Sequence, residues 1–228
     1  MPRTIDYYFS LSSPWADIGH RLFMTIAERQ RVAVNYKPVF LGRVFAQTGG
    51  LPLPQRHPVR QRYRLVDLQR WRERRGVALN LQPKFSPFDV NLADRFVVAI
   101  VAANKDPDPF MRRAMAGVWE EERKLGDPLV IAELAEAAGL DSTSLLEAAR
   151  GTLTEAVYAL NLENAVAADV FGSPAYVLDG EVFWGQDRLE LLDDALTSGR
   201  GAVPADRVTC ERSVVSGQSS VKLRTIDD

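Results

Sequence analysis

Thr4-Ile5-Asp6-Tyr7-Tyr8-Phe9-Ser10-Leu11-Ser12-Ser13-Pro14-Trp15-Ala16-Asp17-Ile18 is the stretch whose reading decides the fold. Ile5, Tyr7 and Phe9 alternate with Asp6, Tyr8 and Ser10, the period of two that marks a half-buried strand. Trp15, Ile18, Leu22 and Ile26 then recur at helical spacing and predict a helix from about Pro14 to Arg29. Its start is marked by Ser13, a good N-cap, and by Pro14, whose missing N–H would have had no intrahelical partner. Val32, Val34 and Tyr36 alternate again. Strand, helix and strand in succession make a βαβ unit, with parallel strands and a right-handed crossover expected.

Beyond the Gly/Pro loop that begins at Thr48, apolar spacing turns helical and strand signals vanish until Pro174. Helices are predicted at about 58–75, 91–104, 108–124, 128–138, 142–149 and 152–169, with Asp106-Pro107-Asp108-Pro109 and Gly126-Asp127-Pro128 as punctuation. After Phe171-Gly172-Ser173-Pro174, the segments Ala175 to Leu178 and Glu181 to Trp184 flank Asp179-Gly180 and read as a hairpin with a two-residue turn. A last helix follows, with Leu189, Leu192 and Leu196 as its apolar stripe, Asp187 at its start and Gly199 past its end. The order βαβ, helical block, ββα is an α/β arrangement of thioredoxin type with a large all-helical insertion. Residues 1–48 plus 170–199 are expected to form the thioredoxin-like part, 49–169 the helical insertion and 200–228 a loose tail.

Composition narrows the function classes. The 228 residues carry a formal net charge of -2, which offers no general attraction to nucleic acid. No run approaches the ~20 apolar residues needed to span a bilayer, and the N-terminus has no secretory pattern, so a soluble cytoplasmic protein with no membrane association is expected. Cys210 is the one cysteine, which excludes an intramolecular disulfide. His20 and His57 offer no metal-ligand spacing with it, so no metal is expected. Tyr8, Phe23 and Trp119 read as core.

In a fold of this order, the first helix's N-terminus is where unpaired N–H groups and the helix dipole favour a thiolate. A disulfide oxidoreductase would need Cys-x-x-Cys there. Ser13 and Ala16 occupy both positions, so exchange through the protein's own thiols is excluded. Ser13 could act simply as the N-cap.

Four motifs in order weigh against that simple reading: Tyr7-Tyr8-Phe9 with Ser13-Pro14, Val66-Asp67-Leu68-Gln69-Arg70-Trp71, Val170-Phe171-Gly172-Ser173-Pro174, and Phe183-Trp184-Gly185-Gln186-Asp187-Arg188-Leu189. Together they resemble the 2-hydroxychromene-2-carboxylate isomerases and the related kappa-class glutathione transferases of the DsbA-like thioredoxin superfamily. The resemblance implies glutathione as cofactor and Ser13 as the catalytic serine whose hydroxyl holds the cofactor's sulfur as thiolate. Ser173-Pro174 matches the position of a cis-proline that leaves the N–H and C=O of Ser173 free to pair with glutathione; a trans turn is the alternative. Trp184, Gly185, Gln186 and Asp187 match the segment that holds the γ-glutamyl end, unless Asp187 is only an N-cap. Phe85 and Ser86 occupy the family's substrate positions in place of more polar pairs, and Gly50 lies in a loop that lacks the family's polar residue.

Residues 56–75 hold many arginines. Such a run is ordinarily a solvated face, although Arg60 or Arg64 could draw in a carboxylate, and Tyr63 and Trp71 could pack its ring. The function implied is glutathione-dependent isomerisation of 2-hydroxychromene-2-carboxylate to trans-o-hydroxybenzylidenepyruvate, as in naphthalene-type degradation, by a homodimer acting on a small aromatic carboxylate. A kappa-type transferase and a non-catalytic binding protein of the same fold are the alternatives.

Overall fold

A computed structural model describes residues 3–203. Cys210 and most of the tail expected at 200–228 lie outside them. Strand β1 (Thr4–Phe9) is central in a four-stranded sheet of order β2-β1-β3-β4. It runs parallel to β2 (Ala33–Pro38) and antiparallel to β3 (Ala175–Leu178), which pairs antiparallel with β4 (Glu181–Trp184). Helix α1 (Pro14–Gln30) makes the crossover between β1 and β2. Asp179 and Gly180 turn β3 into β4 with φ of 52° and 86°, the pair of positive angles that a two-residue hairpin demands.

Between β2 and β3 the described chain is helical: α2 (Leu41–Thr48), α3 (Pro58–Arg75), α4 (Asn91–Ala102), α5 (Asp108–Trp119), α6 (Pro128–Ala137), α7 (Ser142–Arg150) and α8 (Thr152–Ala167). A 3-10 turn at Gln186–Arg188 leads into α9 (Leu189–Ser198). Three details depart from sequence expectation. Helix α2 was not predicted, because its Leu41, Val44 and Phe45 span barely two turns before Gly49 ends it at φ 78°. Helix α5 stops at Trp119 rather than near 124, where a run of charged residues offers no apolar face and Arg123 N–H turns back to the Gly117 carbonyl at 2.7 Å. The last helix begins two residues after Asp187, which lies in the 3-10 turn.

The alternation read in β1 holds on one face, where Ile5, Tyr7 and Phe9 are fully buried. Tyr7 stacks on Phe9 at 4.7 Å and on Tyr176 at 5.3 Å, and meets Phe23 at 4.7 Å. On the other face Thr4 and Asp6 are half-buried, and Tyr8 is buried as its reading as core expected. Tyr8 is 1% exposed because α2 and α8 cover it through Val44, Leu162 and Ala165. A central strand of a sheet sheathed on both sides loses the polar alternation that identifies it at an open face. Trp119 and Phe23 are buried in the larger core cluster. Among the described residues, no helix is long and apolar enough to cross a membrane.

One polar contact joins the helical segment to the loop after β1. Asp94 of α4, wholly buried, accepts from Leu11 N–H (3.0 Å), Ser10 Oγ (3.0 Å) and the Tyr158 hydroxyl (3.1 Å). Burial pushes its carboxyl up to about 7 against the pull of these three donors. Between the ordinary carboxyl value and about 7, folded Asp94 therefore keeps a proton that the unfolded chain has lost, so its contribution to stability falls as pH rises through that window. His20, whose ring burial pushes down, adds an opposite slope as pH falls below its ordinary value. Comparison with a variant isolates Asp94. In urea titrations between about pH 5 and 6.5, Asp94→Asn should lose less stability per pH unit than the wild type, by up to about 1.4 kcal/mol. Equal slopes in the two proteins would refute this assignment.

Candidate functional site

Ser13 takes extended backbone angles (φ -89°, ψ 116°) before α1, and its Oγ accepts from Ala16 N–H at 3.2 Å. This is the N-cap expected from Ser-Pro. The same hydroxyl donates to the Ser173 carbonyl at 3.0 Å. Ser13 is only 4% exposed. The Ser173–Pro174 peptide is cis. Ser173 Oγ accepts from Ser10 N–H at 3.2 Å, so two residues more than 160 positions apart in sequence grip the same loop. Its N–H has no partner among the described residues, whereas its carbonyl, expected to be free, already holds the Ser13 hydroxyl.

Ser173 also forms part of the wall of a cleft of about 590 Å³. On the same side stand Trp184 and the segment Gly185 to Arg188. Trp184 packs against Phe171 and over Gly172, where a Cβ would fall 2.4 Å from the indole nitrogen. Glycine is required there because the ring occupies the space. Gln186 is 1% exposed and braced by Arg75, whose Nε donates to its Oε1 at 3.1 Å. Arg75 also pairs with Glu190 at 2.9 Å and lies over the Trp71 ring. Gln186 is thus packed between α1 and α3 and fixes the turn that presents Asp187, which pairs with Arg188.

The opposite wall is α3. Arg60, Arg64, Asp67 and Trp71 line the cleft at positions i, i+4, i+7 and i+11, one stripe of a helix, joined by Tyr63 and by Arg56 just before it. Arg60 and Arg64 have no acidic partner among the described residues. Burial, then the charge of Arg56, lowers the pKa of Arg64; burial, then Arg60, lowers that of Arg56. Asp67 moves the other way: burial raises it and the charge of Asp187 adds to this, against Arg70. A helix rises 1.5 Å per residue, so Arg60 and Asp67 stand about 10 Å apart along α3. The cleft is therefore cationic at Arg56, Arg60 and Arg64 and carries Asp67 and the Asp187–Arg188 ion pair further along. An elongated ligand with a carboxylate and an ammonium matches it, and the open Ser173 N–H offers that ligand a backbone contact.

The structure thus gathers Ser13, Ser173, Pro174, Trp184, Gly185, Gln186 and Asp187 in one region. Gly50, Phe85 and Ser86 do not line this cleft. Gly50 turns against Phe45, with 2.6 Å from the position of an added Cβ to the ring, and Phe85 carries the Lys84 ammonium 5.4 Å from its centroid. Sequence reasoning gave no role to Trp15, Arg56 or Asp67 on the cleft wall. The spacing of 60, 64, 67 and 71 was the available signal, obscured because arginines that face solvent are spaced in the same way.

The chain is similar to known proteins over most of its length. It is 28% identical over 198 residues to the 2-hydroxychromene-2-carboxylate isomerase of Sphingobium xenophagum, covering 86% of this chain and 99% of that one. It is 25% identical over 208 residues to glutathione S-transferase kappa 1 of Caenorhabditis elegans, covering 86% and 91%. A solved 2-hydroxychromene-2-carboxylate isomerase has the same fold, with a TM-score of 0.75 at 23% identity over 86% of this chain and 95% of that one. Residues 4–197 match the family described as the DSBA-like thioredoxin domain, and the chain belongs to that family.

Proposed function

We propose that this chain is a glutathione-dependent isomerase of an aromatic-pathway acid, acting on 2-hydroxychromene-2-carboxylate or a close analogue. The observation that carries this reading is the cleft near Ser13, lined by Arg60 and Arg64 without acidic partners among the described residues and by Asp67 and Asp187 further along. Glutathione has two carboxylates, one ammonium and an extended backbone, and the cleft offers Arg60 and Arg64, Asp67 and Asp187, and the open Ser173 N–H. The residues fit the cofactor on the chemistry of their donors and acceptors. The names of the relatives in isomerase and kappa transferase groups support the same reading. Residues 1–48 with 170–199 would supply the cofactor's half of the site and 49–169 the helical insertion, in a cytoplasmic homodimer.

Bound in the cleft, glutathione would supply a thiol nucleophile. The chain's own task is to hold that group ionised and in place. Ser13 sits at the N-terminus of α1, where the unpaired N–H groups and helix dipole favour an anion. Its hydroxyl would have to exchange its bond to the Ser173 carbonyl for one to sulfur. The exchange loses a neutral hydrogen bond worth about 0.5–1.5 kcal/mol and gains one to a charged acceptor worth about 1.5–3 kcal/mol, so it favours the anion. Asp187 and Asp67 would pair with the ammonium, and Arg60 and Arg64 with a carboxylate.

The relative named as a kappa transferase, together with the absence of Gly50, Phe85 and Ser86 from the cleft wall, favours a second reading in which the electrophile keeps the sulfur. Chromatography of reactions with 2-hydroxychromene-2-carboxylate and catalytic glutathione separates the two. Isomerised product with glutathione regenerated is expected, and a stable conjugate without isomer would overturn the isomerase reading. Ser13→Ala should lower turnover about 100-fold by removing one preorganised donor. Loss of the cap should cost about 1 kcal/mol of stability, which leaves the variant folded. Wild-type turnover in that variant would remove Ser13 from the mechanism. By calorimetry, Arg64→Gln should bind glutathione about tenfold more weakly, as loss of a charge-assisted bond predicts, and unchanged affinity would place the carboxylate elsewhere.

A further inference from the structure

A second cavity, of about 330 Å³, opens between α2, α4 and α8. Its size suits a small molecule. Leu162, Ala159 and the ring of Tyr158 line it from α8, and Phe40, 43% exposed where α2 begins, adds a second ring. Arg43 of α2 and Arg95 of α4 also line the cavity. Among the described residues, neither guanidinium pairs with an acid, although Glu155 stands on the same wall. The Nε of Arg95 is buried without any hydrogen-bond partner. An arginine Nε withdrawn from water with its proton unspent, in a cavity also lined by Phe40 and Tyr158, is suited to a carboxylate.

None of these walls is shared with the Ser173–Trp184 cleft. Yet the cavity is not isolated from Ser13. The hydroxyl of Tyr158 is the outer donor to buried Asp94, which also holds Ser10 Oγ and Leu11 N–H, and the Ser10 carbonyl accepts from Ser13 N–H at 2.9 Å. We propose that the α2/α4/α8 cavity binds a small aromatic carboxylate through Arg43 and Arg95, and that Tyr158 and Asp94 relay its occupancy to the Ser10–Ser13 loop. Binding here does not depend on the glutathione reading and is testable on the unliganded chain.

Salicylate is the probe, titrated by calorimetry and by amide NMR. It should bind the wild-type chain and shift the amides of Ser12 and Ser13. Arg95→Gln and the exposed Arg43→Gln should each weaken it about tenfold, the loss of one charge-assisted pair. Arg60→Gln with Arg64→Gln, which strips charge from the other cleft, should leave its affinity unchanged. Tyr158→Phe keeps the ring wall and cuts the link to Asp94, so binding should persist while the Ser12 and Ser13 shifts disappear. Phenol, which lacks the carboxylate, and inorganic phosphate, which lacks the ring, should bind at least tenfold more weakly. Absence of salicylate binding, full affinity in both cavity arginine variants, loss of affinity only in the Arg60/Arg64 variant, or phosphate binding as tightly as salicylate would each overturn the site. Ser12 and Ser13 shifts that survive in Tyr158→Phe would overturn the relay.

Discussion

The loop from Ser10 to Ser13 is held between two distant parts of the chain, and the geometry of the site depends on that double grip. From one side Ser173 takes Ser10 N–H on its hydroxyl and the Ser13 hydroxyl on its carbonyl. From the other, Asp94 takes Ser10 Oγ and Leu11 N–H. Burying a carboxyl costs several kcal/mol if its oxygens go unmet. Three donors arranged around Asp94 offset that cost only when α4, α8 and the loop are all in place. The contact therefore selects one arrangement of helical segment against sheet, much as a buried polar residue can select one register of a helical pair.

This dependence separates what could be read in the sequence from what could not. The βαβ start, the hairpin at Asp179-Gly180 and the cap at Ser13 are local, because strand alternation, helical spacing and N-cap chemistry act within a few residues. They emerged with boundaries within a few residues of those observed. Helix α2 did not, since two turns give too few repeats to establish a period. Nor did the role of Asp94, an acid on the buried face of α4, whose partners lie 64 to 84 residues away. Its only local signal is a charge on the buried face of α4, and a sequence alone does not say which donors will meet it. The same holds for Gln186, which motif position suggested as a ligand contact and packing shows to be almost wholly buried against Arg75 and Gly19.

The cleft shows how sequence spacing becomes recognition. On α3 the arginines are so numerous that composition alone points to a solvated face, and several of them are solvated. The stripe at 60, 64, 67 and 71 differs because it lines a groove with Trp184 and Asp187, in which Arg64 and Asp67 are half-buried while Arg60 stays exposed. Reduced solvent screening strengthens the charges of Arg64 and Asp67 relative to their exposed neighbours. Lowered pKa values at Arg56 and Arg64 reflect partial burial first and the neighbouring like charge second.

Serine in place of cysteine at position 13 makes sense within these constraints. A thiol at a helix N-terminus, 4% exposed and hydrogen-bonded to a carbonyl, would have to reach a partner sulfur through a narrow opening beside Ser173, and Ala16 could not resolve the resulting disulfide. A hydroxyl in the same place cannot be oxidised or trapped. While its oxygen accepts from Ala16 N–H, its one proton goes to a neutral carbonyl that a stronger, charged acceptor can displace. The helix end and the loop grip that would depress the pKa of a resident thiol are thereby available to a thiol brought in by a ligand. In the proposed glutathione reading the cleft next to Ser173 carries that ligand, so a helix end without its own cysteine pair and a groove lined by unpaired arginines serve one chemistry.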